Sequence, residues 1–83
     1  MTRVRRASLI RFGDNVRQVR TERGLSQDEL AVRSGSHRNY VGGIERGERN
    51  PTFLKVLALA EALEVDVGRL FRGTSGPGKG RRR

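Results

Sequence analysis

An all-α domain of five short helices is what this 83-residue sequence predicts, on three observations. Apolar residues recur at helical spacing and nowhere alternate as in a half-buried strand. Ser8, Ser26, Thr52 and Asp66 each stand just before such a run, as helix N-caps do. Gly24, Gly35 and Gly47 follow three of the runs, where a helix closes on a residue of positive φ.

The first helix begins at Ser8 and carries Phe12, Val16 and Val19 at i, i+4 and i+7, with Gly24 just beyond its end. The second opens on a capping box, Ser26-Gln27-Asp28-Glu29: the serine hydroxyl can accept from the Glu29 amide while the glutamate reaches back to the serine amide. It holds Leu30 and Ala31 and stops at Gly35. Val41 and Ile44, one turn apart before Gly47, place a third helix over about 37–46. Thr52 caps a fourth, in which Phe53, Val56, Leu57, Ala60 and Leu63 form a broad apolar face; Lys55 stands there where a capping glutamate would serve better. Asp66 caps a short fifth helix with Leu70 and Phe71 inward.

The ends read differently. Residues 1–7 lack periodicity and form an expected basic, flexible arm, 8–72 the folded domain, and 73–83 a glycine-rich basic tail of linker composition.

Eighteen Lys and Arg against nine Asp and Glu give a formal charge of +9, a balance that favours polyanions because neutralising phosphates releases counterions. Part of that surplus lies in the two ends. With no cysteine and one histidine, neither a disulfide framework nor an ordinary Cys/His zinc site can be built in one chain. No run approaches the ~18 apolar residues of a membrane span, so a soluble protein without membrane contact is expected, and the lack of cysteine points to the cytoplasm. Catalysis has little to stand on. The pairs Glu45/Glu48 and Glu61/Glu64 recur on solvated helix faces and lack a histidine or metal partner, and Ser36 and His37 point apart.

Two short helices joined by a tight glycine-containing turn are the geometry of a helix-turn-helix. Residues 27–46 meet its requirements: small Ala31 where the helices cross, Gly35 at the turn, and Val41 with Ile44 locking the second helix from within. Gly42 to Gly47 also supplies the glycines of a phosphate loop, but Glu48 and Arg49 follow where Lys and Ser/Thr are required.

Gly24-Leu-Ser-Gln-Asp-Glu-Leu-Ala31, Tyr40-Val-Gly-Gly-Ile-Glu-Arg-Gly-Glu-Arg-Asn-Pro51 and the leucine-rich fourth helix resemble the Xre/Cro type of phage and bacterial DNA-binding regulators over about residues 9–71. The resemblance implies a compact lambda-repressor-like domain. Within that family, His37-Arg-Asn-Tyr40 leading into Gly43-Ile-Glu-Arg46 looks closest to the small controller proteins of restriction-modification systems, which are homodimers without an effector domain. Ser34 and Ser36 depart from the pattern, standing where the family usually has apolar residues beside the turn.

Site assignments follow from this resemblance and from side-chain chemistry. Arg38 and Asn39, on the exposed first turn of the third helix, are the expected base readers: arginine can fork onto guanine O6 and N7, asparagine onto adenine N6 and N7. Gln27, Arg46, Arg49 and Asn50 are expected at the backbone, where contacts position without specifying, and Tyr40 at a phosphate or a thymine methyl or packed partly against the scaffold. His37 is expected to cap the third helix beside them, and Gly42 and Gly43 to face or flank the groove, their missing side chains allowing close approach. A carboxylate on a DNA-reading helix should repel phosphate; the resemblance pairs Glu45 instead with Arg20. Leu54, Leu59, Leu63, Val65 and Val67 exceed what one inward stripe needs and form an expected homodimer interface. The partners implied are double-stranded DNA and a second copy, with no cofactor, metal or small-molecule ligand. The competing reading is an antitoxin-like or protein/RNA-interaction module holding nucleic acid non-specifically through basic tails.

Overall fold

The computed structural model describes residues 3–75, with side chains from residue 5 onward. Five helices follow in order: α1 (Arg3–Glu22), α2 (Gln27–Ser34), α3 (Arg38–Glu45), α4 (Phe53–Leu63) and α5 (Val67–Leu70). No strand occurs among the described residues. Residues 1–2 of the expected arm and 76–83 of the expected tail lie outside them.

The first helix starts five residues earlier than expected. Nothing between Arg3 and Ser8 breaks a helix, and Ser8 is not its cap: its hydroxyl donates to the Thr74 carbonyl at 2.5 Å. Residues 73–74, expected in the tail, therefore lie against α1. Asn15, buried inside α1, fastens the same segment, its amide donating to the carbonyls of Leu70 at 2.9 Å and Arg72 at 2.8 Å. Those carbonyls at the end of α5 lack helical partners, and a buried side-chain amide supplies them.

Phe12, Val16 and Val19 of α1 close over Leu30 and Ala31 of α2, Val41 and Ile44 of α3, Val56, Leu59, Ala60 and Leu63 of α4, and Leu70 of α5. Where α1 crosses α3, the backbones nearly touch at Gly13. A Cβ there would collide with the Ile44 carbonyl oxygen and sit 2.7 Å from that of Glu45.

The fourth helix buries part of the expected face and turns the rest outward. Val56, Ala60 and Leu63 are buried as expected, whereas Phe53 (70% exposed) and Leu57 (38%) are not; Leu59 and Leu63, also expected at a dimer interface, are fully buried. Only Lys55 and Glu61 interrupt the apolar run from Phe53 to Leu63, so periodicity alone cannot set its phase; packing selects the row Val56, Leu59, Ala60 and Leu63. Val65 and Val67 are partly buried against this core and belong to it rather than to a free surface. Leu54, 73% exposed, remains outward. Phe71 is half-exposed, its ring 5.7 Å from that of Phe12.

The caps of α2 and α4 form by the expected chemistry. Ser26 Oγ accepts from the Glu29 amide at 3.0 Å and Glu29 Oε1 from the Ser26 amide at 2.7 Å, completing the capping box. Gly35 adopts φ 69° at the turn. Ser34 is tolerated in the interior because its hydroxyl donates back to the Leu30 carbonyl at 2.8 Å. Thr52 Oγ1 accepts from the Lys55 amide at 3.2 Å.

Candidate nucleic-acid interface

The helix-turn-helix is held by polar contacts as well as apolar ones. Lys55 reaches from α4 to the turn, its ammonium donating to Ser36 Oγ at 2.6 Å and to the Gly35 carbonyl at 3.5 Å. This accounts for both anomalies of sequence at once. Ser36 replaces an apolar residue beside the turn because Lys55, in place of a capping glutamate, needs an acceptor there.

At the start of α3, His37 is the N-cap, with Nδ1 accepting from the Asn39 amide at 3.4 Å. Its ring therefore serves the helix end. Arg38 and Asn39 are exposed on the first turn. Arg38 is not isolated: its Nε lies 3.4 Å from Asp28 Oδ1 on α2, both side chains well exposed. Tyr40 packs partly on the core, and two cations approach its ring, Arg49 Cζ at 5.5 Å and Lys55 Nζ at 5.7 Å from the centroid. Both distances lie within the range of cation–π attraction.

Beneath this surface lies a buried network. Arg20 Nε donates to Glu45 Oε2 at 2.6 Å and Nη2 to Oε1 at 3.0 Å, a fork onto one carboxylate, while Nη1 donates to the Leu25 carbonyl at 2.8 Å. Gln27 Nε2 donates to Glu45 Oε1 at 3.0 Å. Glu45 is 4% exposed. Its charge is thus directed inward, compensated by one guanidinium, and does not confront phosphate. The same carboxylate orients Gln27 at the amino end of α2, leaving one amide hydrogen and the amide oxygen of Gln27 for other partners.

Gly42 and Gly43 do not face an open groove; both are buried. A Cβ on Gly42 would lie 3.1 Å from Arg46 Nη1 and 3.8 Å from the Gln27 amide, and one on Gly43 would lie 2.8 Å from Arg49 Cγ. The glycines make room for long polar side chains folded across the helix. Arg46 pairs with Glu48 at 3.1 Å. Arg46, Arg49 and Asn50 are all exposed.

The structure therefore gathers Gln27, Arg38, Tyr40, Arg46 and Arg49 around α3, and brings Arg20 to Glu45. It does not bring together the expected dimer residues: Leu59 and Leu63 are core. Sequence reasoning assigned no tertiary contact to Lys55, Asp28, Gly13 or Asn15. A lysine at the third position of a helix was the available signal for the first. Asp28 was hidden inside the capping box, and the approach of α1 to α3 at Gly13 has no local signature. No group of three or more His, Cys, Asp or Glu side chains among the described residues could hold a metal ion, and no helix is long and apolar enough to cross a membrane. Arg38, Arg46 and Arg49 give the surface hydrogen-bond donors and positive charge, with Asp28 and Glu48 each paired to an arginine.

Known proteins are similar in sequence and in fold. A helix-turn-helix family model (HTH_3) matches residues 16–77. The control protein C.SmaI of Serratia marcescens is 47% identical over 60 residues, 72% of this chain and 71% of its own length. The crystal structure of the restriction-modification controller protein C.AhdI from Aeromonas hydrophila is 49% identical, superposes with a TM-score of 0.77, and covers 78% of this chain and 98% of that one. The controller protein C.Esp1396I, as a tetramer in complex with its natural 35 base-pair operator, is 31% identical with a TM-score of 0.72, covering 81% of this chain and 88% of that one. This chain belongs to the helix-turn-helix family, of the Xre/Cro type.

Proposed function

We propose that this chain is a transcriptional regulator that binds one specific duplex DNA site as a homodimer, works in the cytoplasm at the nucleoid, and controls a restriction-modification system. The observation that carries the reading is the clustering of Arg38 and Asn39 on the exposed first turn of α3, flanked by Arg46, Arg49 and Asn50, on a helix locked from behind by Val41, Ile44 and the Arg20–Glu45 fork. Such a helix can enter a major groove with Arg38 and Asn39 at base edges while the flanking residues hold phosphate oxygens. Likeness to control proteins, one of them solved on its operator, supports the same reading.

Two copies meet through the apolar residues that α4 leaves exposed, Phe53, Leu54 and Leu57. A two-fold axis there makes the interface self-complementary and sets two α3 helices about one DNA turn apart, roughly 34 Å, on a pseudo-palindromic site. No chemistry is assigned to the chain: it regulates by occupying DNA.

Selection of bound duplexes from random sequence, followed by binding at increasing salt in excess competitor, tests the reading. A single preferred operator that keeps its advantage as salt rises is the expected result. Arg38→Ala should relax preference at one base pair by about 1–3 kcal/mol, whereas Arg49→Ala should weaken all sequences alike and lower the salt slope by roughly one. Binding through basic tails alone would select no sequence and collapse at moderate salt, and the proposal would fall. Endonuclease and methyltransferase genes beside this one would place it in a restriction-modification system.

A further inference from the structure

Along one face of α3, Arg38, Gly42 and Glu45 stand at i, i+4 and i+7, and each lies against the first turn of α2. Glu45 accepts from Gln27 at 3.0 Å, a Cβ on Gly42 would sit 3.8 Å from the Gln27 amide, and Arg38 Nε lies 3.4 Å from Asp28 Oδ1. Among the described residues Asp28 pairs with Arg38 alone; the capping role at that helix end belongs to Glu29, whose carboxylate accepts from the Ser26 amide. A carboxylate in the first turn favours a helix through its dipole, but Glu29 already does so, and Asp28 stands next to the residues expected to meet phosphate, where a negative charge is otherwise unfavourable.

The atom that Asp28 engages is informative. Nε is the inner nitrogen of the guanidinium and the one nearest Asp28, an ion-pair contact at 3.4 Å between exposed side chains; with the carboxylate on that side, the two terminal nitrogens are left as a parallel pair, the fork that matches guanine O6 and N7. We propose that Asp28 is a positioning and specificity-determining residue that buttresses Arg38 end-on toward a guanine and withholds it from phosphates, an inference that rests on the base-reading role of Arg38 proposed above. On the operator the Asp28–Arg38 pair is kept and the fork is added. On unrelated DNA, Arg38 reaches a phosphate only by leaving Asp28, so its charge contributes less. Asp28 thus acts on the ratio of the two affinities, through one arginine, rather than on affinity in general.

The test uses the full chain, the operator found by selection, the same operator changed at the base pair Arg38 reads, and an unrelated duplex, each at several salt concentrations. Asp28→Ala is expected to reduce discrimination at that base pair by about three- to fivefold, the size of effect an exposed ion pair can exert, and to bind the unrelated duplex about two- to threefold more tightly. Asp28→Asn, which keeps an oxygen acceptor, should fall between. In an Arg38→Ala background, Asp28→Ala should no longer alter base preference. Glu61→Gln, an exposed carboxylate on α4, controls for the loss of one negative charge and should leave discrimination unchanged. Equal strengthening on operator and unrelated DNA would reduce Asp28 to a repulsive charge and overturn the proposal. So would an effect on discrimination that survives removal of Arg38. If Arg38→Ala itself changes no base preference, the base-reading assignment fails first and this inference with it. Helical signal and melting of each variant separate these outcomes from misfolding.

Discussion

Gly13 and Gly43 are both glycines inside helices, where each costs about 1 kcal/mol against alanine, but the space they leave is used differently. At Gly13 the neighbours are carbonyl oxygens of α3 backbone, which cannot rotate away. Gly13→Ala should therefore lower stability by about 1–3 kcal/mol, as overpacking does, and thermal melting measures it; an unchanged melting temperature would mean the two helices can separate without cost. At Gly43 the neighbour is the stem of Arg49, a side chain that can move. Gly43→Ala should leave stability nearly unchanged, the helix gain offsetting the displacement, yet weaken DNA binding because Arg49 is pushed off its place over Tyr40. Close approach of DNA backbone to bare helix is not needed for that result. Glu45 makes the complementary case: with Arg20 and Glu45 side chains 13% and 2% exposed, removing either leaves a charge buried without its partner. Arg20→Ala and Glu45→Ala should each cost about 3–5 kcal/mol, and the double change less than their sum. If neither single variant melted lower, the pair would have no structural role.

Among elements, α2 shows how a local motif and a pH response are linked. The Glu29 carboxyl is held below the usual glutamate range by the hydrogen bond from the Ser26 amide and further by the Ser26 side chain, with Arg33 adding a smaller attraction and burial opposing weakly. Because the folded value lies below the unfolded one, the contribution is fully present above the ordinary glutamate range, near pH 4.3, and is lost as pH falls through the folded value. Acid titration of Glu29→Gln, followed by helical signal, should show a shallower loss than the parent chain below that range; identical acid profiles would remove Glu29 from the cause. The fourth helix makes the opposite point. Its capping threonine was readable from sequence, but its phase was not, since a nearly continuous apolar run satisfies several orientations and only the shape left by α1, α2 and α5 chooses between them.

For the whole molecule, the choice made by α4 determines the outer surface. With Leu59 and Leu63 inside, the large apolar side chains that α4 leaves exposed are Phe53, Leu54 and Leu57. Leu54→Glu, at a side chain 73% exposed, should leave the melting of the monomer nearly unchanged while shifting sedimentation to half the mass and weakening operator binding steeply, because two half-sites are then bound separately. A variant that stays dimeric would move the interface elsewhere. The packed C-terminal segment belongs to this scale as well. Asn15 and Ser8 tie residues 70–74 to α1, so the segment after α5 is packed along the first helix.

The sequence by itself determined the number and order of helices, the caps and turn residues that bound α2 and α3, and the positions of Arg38 and Asn39 on an exposed first turn. These depend on interactions spanning one or two turns, which neighbouring residues specify. Only the tertiary structure decided which face of α4 is buried, that Gly42 and Gly43 lie under arginine and glutamine side chains, that Lys55 secures the turn through Ser36, and that Asp28 meets Arg38. Each depends on how far apart two helices come to rest, a distance set by the packing of the whole core and by close approaches such as Gly13 against α3, which no local pattern of residues encodes.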